Sequence, residues 1–118
     1  MKLILIAEDE PKIAAFMQKG LNRSGFSTNV VADGNQVLSK MLDDTCDLVL
    51  LDLGLPDKDG LAILKEMQQR NINIPVIVIT ARSIDPQDAQ IIQVSGTEIV
   101  SKPFHMKDLI QRVRSLLN

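Results

Sequence analysis

Five short apolar runs, at residues 3–7, 27–31, 48–51, 75–79 and 98–100, alternate with segments of helical spacing, and this alternation constrains the fold most tightly. The first, third and fourth runs are nearly continuous in Ile, Leu and Val, as expected of strands buried on both faces of a parallel sheet. The second and fifth are weaker and read as edge strands. Ile13, Phe16, Met17 and Leu21 form one apolar stripe behind Pro11, which suits a first helical turn, and Gly25 can close that helix. Val37, Leu38, Met41 and Leu42 form a second stripe, after the turn-like Asp33-Gly34-Asn35. Leu61, Leu64 and Met67, with Ile63, form a third, ended by Asn71 ahead of Pro75. Ala89, Ile92 and Val94 follow the cap and first-turn pair Asp85-Pro86. Met106, Leu109, Ile110, Val113, Leu116 and Leu117 make the last stripe. Strand and helix in turn, five times over, imply right-handed βα units and one doubly wound α/β domain over residues 1–118.

Composition removes several function classes. At 118 residues, 45% hydrophobic and 24% charged, the chain fits one globular domain. A net charge of -2 argues against direct nucleic-acid binding, which needs a basic surface to displace counterions. Cys46 is the only cysteine, so no intramolecular disulfide forms, and it reads as a small apolar filler. Residues 1–7 are basic and then apolar, but the run is too short for a signal peptide and Glu8-Asp9-Glu10 follow at once. No stretch approaches the roughly 20 apolar residues of a membrane span, so a cytoplasmic protein without membrane contact is expected.

The ends of the predicted strands carry the chemistry. Ligands of open α/β sheets bind outside the carboxyl ends of the strands, where strand order reverses. Glu8 and Asp9 follow the first strand, Asp52 the third, Thr80 ends the fourth, and the fifth runs into Ser101-Lys102. In the sheet order 2-1-3-4-5 the first and third strands are neighbours, which sets Asp9 beside Asp52. Three carboxylates together repel one another unless a cation intervenes, and Mg²⁺ accepts one or two carboxylates along with waters and phosphate oxygens. A divalent cation, Lys102 and a hydroxyl around one central carboxylate suit phosphoryl transfer, with Asp52 as nucleophile.

Four segments, residues 6–11, 50–60, 79–82 and 101–104, read Ile-Ala-Glu-Asp-Glu-Pro, Leu-Leu-Asp-Leu-Gly-Leu-Pro-Asp-Lys-Asp-Gly, Ile-Thr-Ala-Arg and Ser-Lys-Pro-Phe. In this order they resemble the motifs of the response-regulator receiver family, over the whole chain and without a gap. The resemblance implies a flavodoxin-like (βα)5 fold similar to that of chemotaxis regulators, and assigns roles. Asp52 takes the phosphoryl group and Asp9 ligates Mg²⁺. Glu8 acts through a metal-bound water, and the Gly54 carbonyl completes the protein ligands. Thr80 hydrogen-bonds the phosphoryl group, Lys102 pairs with it, and Lys102-Pro103 is a cis peptide. The donor is a phosphohistidine on a sensor histidine kinase or histidine phosphotransferase. The output partner or domain reads the face made by the fourth helix, fifth strand and fifth helix. The chain is either a single-domain regulator or the receiver part of a longer, transcriptional one, and its end at Asn118 favours the latter.

Other readings fit less well. An aspartate-based phosphatase places a second Asp two residues after the nucleophile, where Gly54 stands. A flavin-binding module needs a hydroxyl- and amide-rich loop where Glu8-Asp9-Glu10 stand. A phosphorylation-independent interaction module usually lacks acidic or Lys residues that are all present. Asp57-Lys58-Asp59-Gly60 reads as a turn opening the third helix rather than a calcium loop, and His105 as a capping or surface residue. Two departures from the family pattern stand out. Ile99 replaces the usual switch aromatic, which implies a weaker or differently built switch. Of the charge pairs by which winged-helix regulators dimerise, only Glu98 and Arg112 match; Asp88 faces Asp108 with like charge, and Thr97 and Ser115 fill a third pair. A monomer or weak homodimer is therefore expected. Gly54 leaves the acyl phosphate open to water, which Arg82 offsets by shielding it.

Overall fold

In a computed structural model that describes residues 1–94 and 97–117, apart from the Val94 side chain, the alternation read from the sequence becomes five strands and five helices. They are β1 (Leu3–Ala7), α1 (Pro11–Arg23), β2 (Ser27–Val31), α2 (Val37–Asp43), β3 (Leu48–Asp52), α3 (Gly60–Gln69), β4 (Val76–Thr80), α4 (Pro86–Val94), β5 (Glu98–Ser101) and α5 (Met106–Leu117). A 3-10 turn, Gly34–Gln36, leads into α2. All strand pairs are parallel, in the order β2-β1-β3-β4-β5. The bounds of β1 and β2 match their apolar runs, and those of β3, β4 and β5 differ by one residue. Pro75 has no N–H for the ladder and stays outside β4, offering only its carbonyl to Val49, while Asp52, Thr80 and Ser101 are drawn in at the other ends.

Alternate residues of the central strands feed two cores. Ile4, Ile6, Leu48, Leu50, Ile77 and Ile79 pack against Met17 and Leu21 of α1 and Leu109 and Val113 of α5. Leu5, Val49, Leu51 and Val78 face the opposite way, toward α2, α3 and α4. β1, β3 and β4 are thus covered on both sides, whereas β2 and β5 are half-buried edges, as their weaker runs predict.

Two stripe residues depart from expectation. Phe16 is 53% exposed, because the buried line of α1 runs through Ala14, Met17 and Leu21 and leaves the ring to lean on Phe104, 6.4 Å away between centroids. Leu42 is 48% exposed: it lies in the last turn of the short α2, off the line of Val37, Leu38 and Met41. Val94, placed in the fourth stripe, has its side chain outside the described residues, as does Asn118.

The punctuation holds. Gly25, at φ +95°, closes α1, and Asn71, at φ +56°, follows α3. Asp59 caps α3 by accepting the Leu61 N–H at 3.0 Å, Asp85 accepts the Asp88 N–H at 2.9 Å, and the His105 carbonyl receives the Asp108 and Leu109 N–H groups. Lys102-Pro103 is cis. Cys46 is buried, and its desolvation pushes the thiol up to about 11. Among the described residues no helix is long and apolar enough to cross a membrane.

Candidate functional site

The register of the sheet sets one edge for the chemistry. Ala7 lies across from Leu51, Asp52 from Ile79, and Thr80 from Ser101, so the residues at the carboxyl ends of β1, β3, β4 and β5 share that edge. Glu8 leaves β1 with its N–H on the Val31 carbonyl at 3.0 Å, and Lys102 leaves β5 with its N–H on the Thr80 carbonyl at 2.8 Å. Glu8, Asp52 and Thr80 are the buried polar side chains among the described residues, whereas Asp9 is exposed. Burying two acids at one edge is costly without compensation, which makes this the chemically loaded part of the fold.

The compensation is Lys102. Its Nζ lies 2.7 Å from Glu8 Oε1 and 3.2 Å from Asp52 Oδ2. The remaining carboxylate oxygens meet backbone: Asp52 Oδ1 accepts the Gly54 N–H at 2.9 Å, and Glu8 Oε2 accepts the Glu10 N–H at 3.2 Å. Burial raises the Glu8 pKa, and the hydrogen bond from Lys102 works against that rise while Asp52 adds to it. Burial depresses Lys102, but Glu8 and Asp52 outweigh it and hold the ammonium above its ordinary value. Thr80 Oγ1 accepts the Arg82 N–H at 3.1 Å, which orients the hydroxyl at the strand end.

One carboxylate oxygen from each of Glu8, Asp9 and Asp52 lies within 4.8 Å of the others. Asp9 has no hydrogen-bond or ion-pair partner among the described residues. Three carboxylates against one ammonium leave net negative charge at a hard, all-oxygen site, which fits a divalent cation such as Mg²⁺.

The structure thus brings Glu8, Asp9, Asp52, Thr80, Lys102 and Gly54 to one edge of the sheet. Two contacts were not legible in the sequence. Lys102 pairs with Glu8 as well as Asp52, across a separation of 94 residues that no local pattern records. Arg82 Nη2 lies 3.3 Å from Asp59 Oδ1, at the start of α3, so the side chain expected to shield Asp52 is engaged elsewhere. The Asp-Gly helix opening signals a capping Asp59 but not its cation. Glu98 and Arg112, which match one charge pair of the family's dimer face, form an ion pair within the chain at 3.1 Å.

The family model described as response regulator receiver domain matches residues 4–114. Response regulator ArlR of Staphylococcus saprophyticus is 36% identical over 117 residues, 99% of this chain and 53% of that protein. The transcriptional regulatory protein CpxR of Klebsiella pneumoniae is 34% identical over 117 residues, 99% of this chain and 50% of its own length. The chain therefore spans about half the length of these curated relatives. Among solved structures, the receiver domain of Francisella response regulator 1452 superposes with a TM-score of 0.90 at 31% identity, covering 99% of this chain and 97% of the other. TrrA of Thermotoga maritima, solved in complex with Mg(2+)-BeF, gives 0.88 at 29% identity, covering 99% and 100%. Sequence motifs, sheet order and these likenesses agree: the chain belongs to the response-regulator receiver family of two-component signalling.

Proposed function

We propose that Asp52 accepts a phosphoryl group from the phosphohistidine of a sensor histidine kinase or histidine phosphotransferase, in a Mg²⁺-dependent reaction. The observation that carries this reading is the convergence of Glu8, Asp9 and Asp52 with Lys102 already seated on Asp52 Oδ2. Asp9 and Asp52, the Gly54 carbonyl, and Glu8 through a water are the groups that hold the ion. When bound, it neutralises the carboxylates and the charge that builds on the phosphoryl oxygens. An Asp52 carboxylate oxygen attacks phosphorus, the P–N bond to the donor imidazole breaks, and the imidazole keeps the electron pair and takes up a proton. Lys102, held above its ordinary pKa, stays charged and moves its pairing from Asp52 to a phosphoryl oxygen. The Thr80 hydroxyl accepts one hydrogen bond and keeps its proton to donate to another phosphoryl oxygen.

Residues 1–118 act as one receiver domain, and the output is read on the α4–β5–α5 face. Relatives twice as long, named as transcriptional regulators, support a place in a longer regulator. Ile99 is half-buried against the core under α4, so that face transmits the change by repacking an aliphatic side chain. Incubation with phosphoramidate and Mg²⁺ followed by intact mass tests the reading. A gain of one phosphoryl mass, absent without Mg²⁺ and in Asp52→Asn, is expected; no gain, or a gain that persists in Asp52→Asn, contradicts it.

A further inference from the structure

Arg82 stands two residues beyond Thr80, with its backbone N–H on the Thr80 hydroxyl at 3.1 Å. β4 is the neighbour of β3, so Arg82, in the loop just past β4, follows the strand next to the one that bears Asp52. Its guanidinium is nevertheless turned to Asp59, with Nη2 3.3 Å from Oδ1, and both side chains of this pair are about half exposed. The same Asp59 oxygen accepts the Leu61 N–H, so one atom both caps α3 and holds the cation. A Cβ at Gly54 would come no closer than 3.6 Å to Asp52 Oδ1, and the glycine leaves that approach open.

We propose that Asp59 is a positioning residue that restrains Arg82, and thereby sets how long a phosphoryl group survives on Asp52. The inference rests on the phosphoacceptor reading above. A phosphoryl group carries about two negative charges and presents oxygens that suit a two-pronged guanidinium contact, so it competes with Asp59 for Arg82. In hydrolysis a water oxygen attacks phosphorus and the bond from phosphorus to the Asp52 carboxyl oxygen breaks. The carboxylate leaves with the electron pair, and inorganic phosphate departs with the water's oxygen and one of its protons, the other passing to solvent. Arg82 lying over the phosphoryl oxygens blocks the attacking water; Arg82 held on Asp59 does not. An exposed ion pair is weak, so the equilibrium between the two positions is easily moved.

The test loads wild type, Asp59→Asn, Arg82→Ala and the double variant with phosphoramidate and Mg²⁺, removes the donor, and follows the phosphorylated mass with time. Asn caps a helix as well as Asp does, so Asp59→Asn keeps the start of α3 while releasing the cation. Its phosphoryl group should decay about two- to fivefold more slowly than in wild type, the shift that loss of one exposed ion pair produces. In the double variant that slowing should vanish, which a purely structural role of Asp59 would not bring about. Equal decay in Asp59→Asn and wild type, or slowing that persists without Arg82, overturns the restraint while leaving the phosphoacceptor standing. Failure of wild type to gain phosphoryl mass overturns both.

Discussion

At the scale of single residues, the site balances on Lys102, which is mostly buried between two acids. Glu8 has a folded-state pKa above its ordinary value, so its contribution to stability is fullest in acid and is lost as pH rises through the raised value. Lys102→Met removes the ammonium and keeps the apolar stem. It should cost about 1–3 kcal/mol in urea unfolding at pH 8, as for buried polar groups left unpaired, with a deficit that shrinks as pH is lowered and Glu8 takes up its proton. A deficit that grew on acidification would show that Lys102 does not stabilise ionised Glu8. Cys46 behaves alike in sign. Its thiol, pushed up to about 11, favours the fold below its ordinary value of 9.0, and that contribution fades as pH climbs through about 11. At pH 8 the native thiolate fraction falls about 100-fold below that of the unfolded chain, so iodoacetamide should label the native protein at least that much more slowly. Equal rates would contradict the burial of Cys46.

Elements are held together where glycine lets backbones meet. Gly34 is buried in the turn before α2, and its N–H reaches the Asp57 carboxylate at 2.9 Å, in the loop between β3 and α3. A Cβ there would run into the Lys58 carbonyl, which is backbone and cannot swing aside. Gly20, inside α1, would instead meet only the flexible side chain of Met106. Gly34→Ala should therefore cost about 1–3 kcal/mol, the usual penalty of overpacking. Gly20→Ala should stay within about 1 kcal/mol of wild type, because helix propensity offsets the displaced methionine. Urea midpoints of the two variants decide it, and equal losses would refute the distinction. Elements were also where the sequence was most legible. Continuous runs such as residues 48–51 announce a buried parallel strand, and Asp85-Pro86 announces a helix start, because both signals are local. Glu8, Asp9, Asp52, Thr80 and Lys102 were legible as a site once the strand order set their ends along one edge. The exposure of Phe16 was not, since α1 is apolar on a broader arc than the sheet covers. Nor were the Arg82–Asp59 pair and the closure of Glu98 on Arg112 within one chain, which are decided by loop geometry and helix rotation rather than by spacing.

For the whole molecule, the Glu98–Arg112 pair is satisfied within the chain, and Asp88 and Asp108 give α4 and α5 like charge in their first turns. Sedimentation of the phosphorylated protein should show a monomer or a weak dimer. A complete shift to dimer, lost in Glu98→Ala or Arg112→Ala, would contradict this. Under the proposed function, a parallel sheet gathers four strand ends so that one carboxylate, Asp52, becomes a phosphoryl acceptor. Borohydride reduces an acyl phosphate to an alcohol, so treating the phosphorylated protein and sequencing its peptides by mass spectrometry names the acceptor directly. The account predicts homoserine at position 52 and nowhere else, formed only after loading in Mg²⁺. Homoserine at Asp9 or another aspartate, the one-carbon-longer alcohol at a glutamate such as Glu8, or no homoserine at 52 in protein that has gained phosphoryl mass, would contradict it.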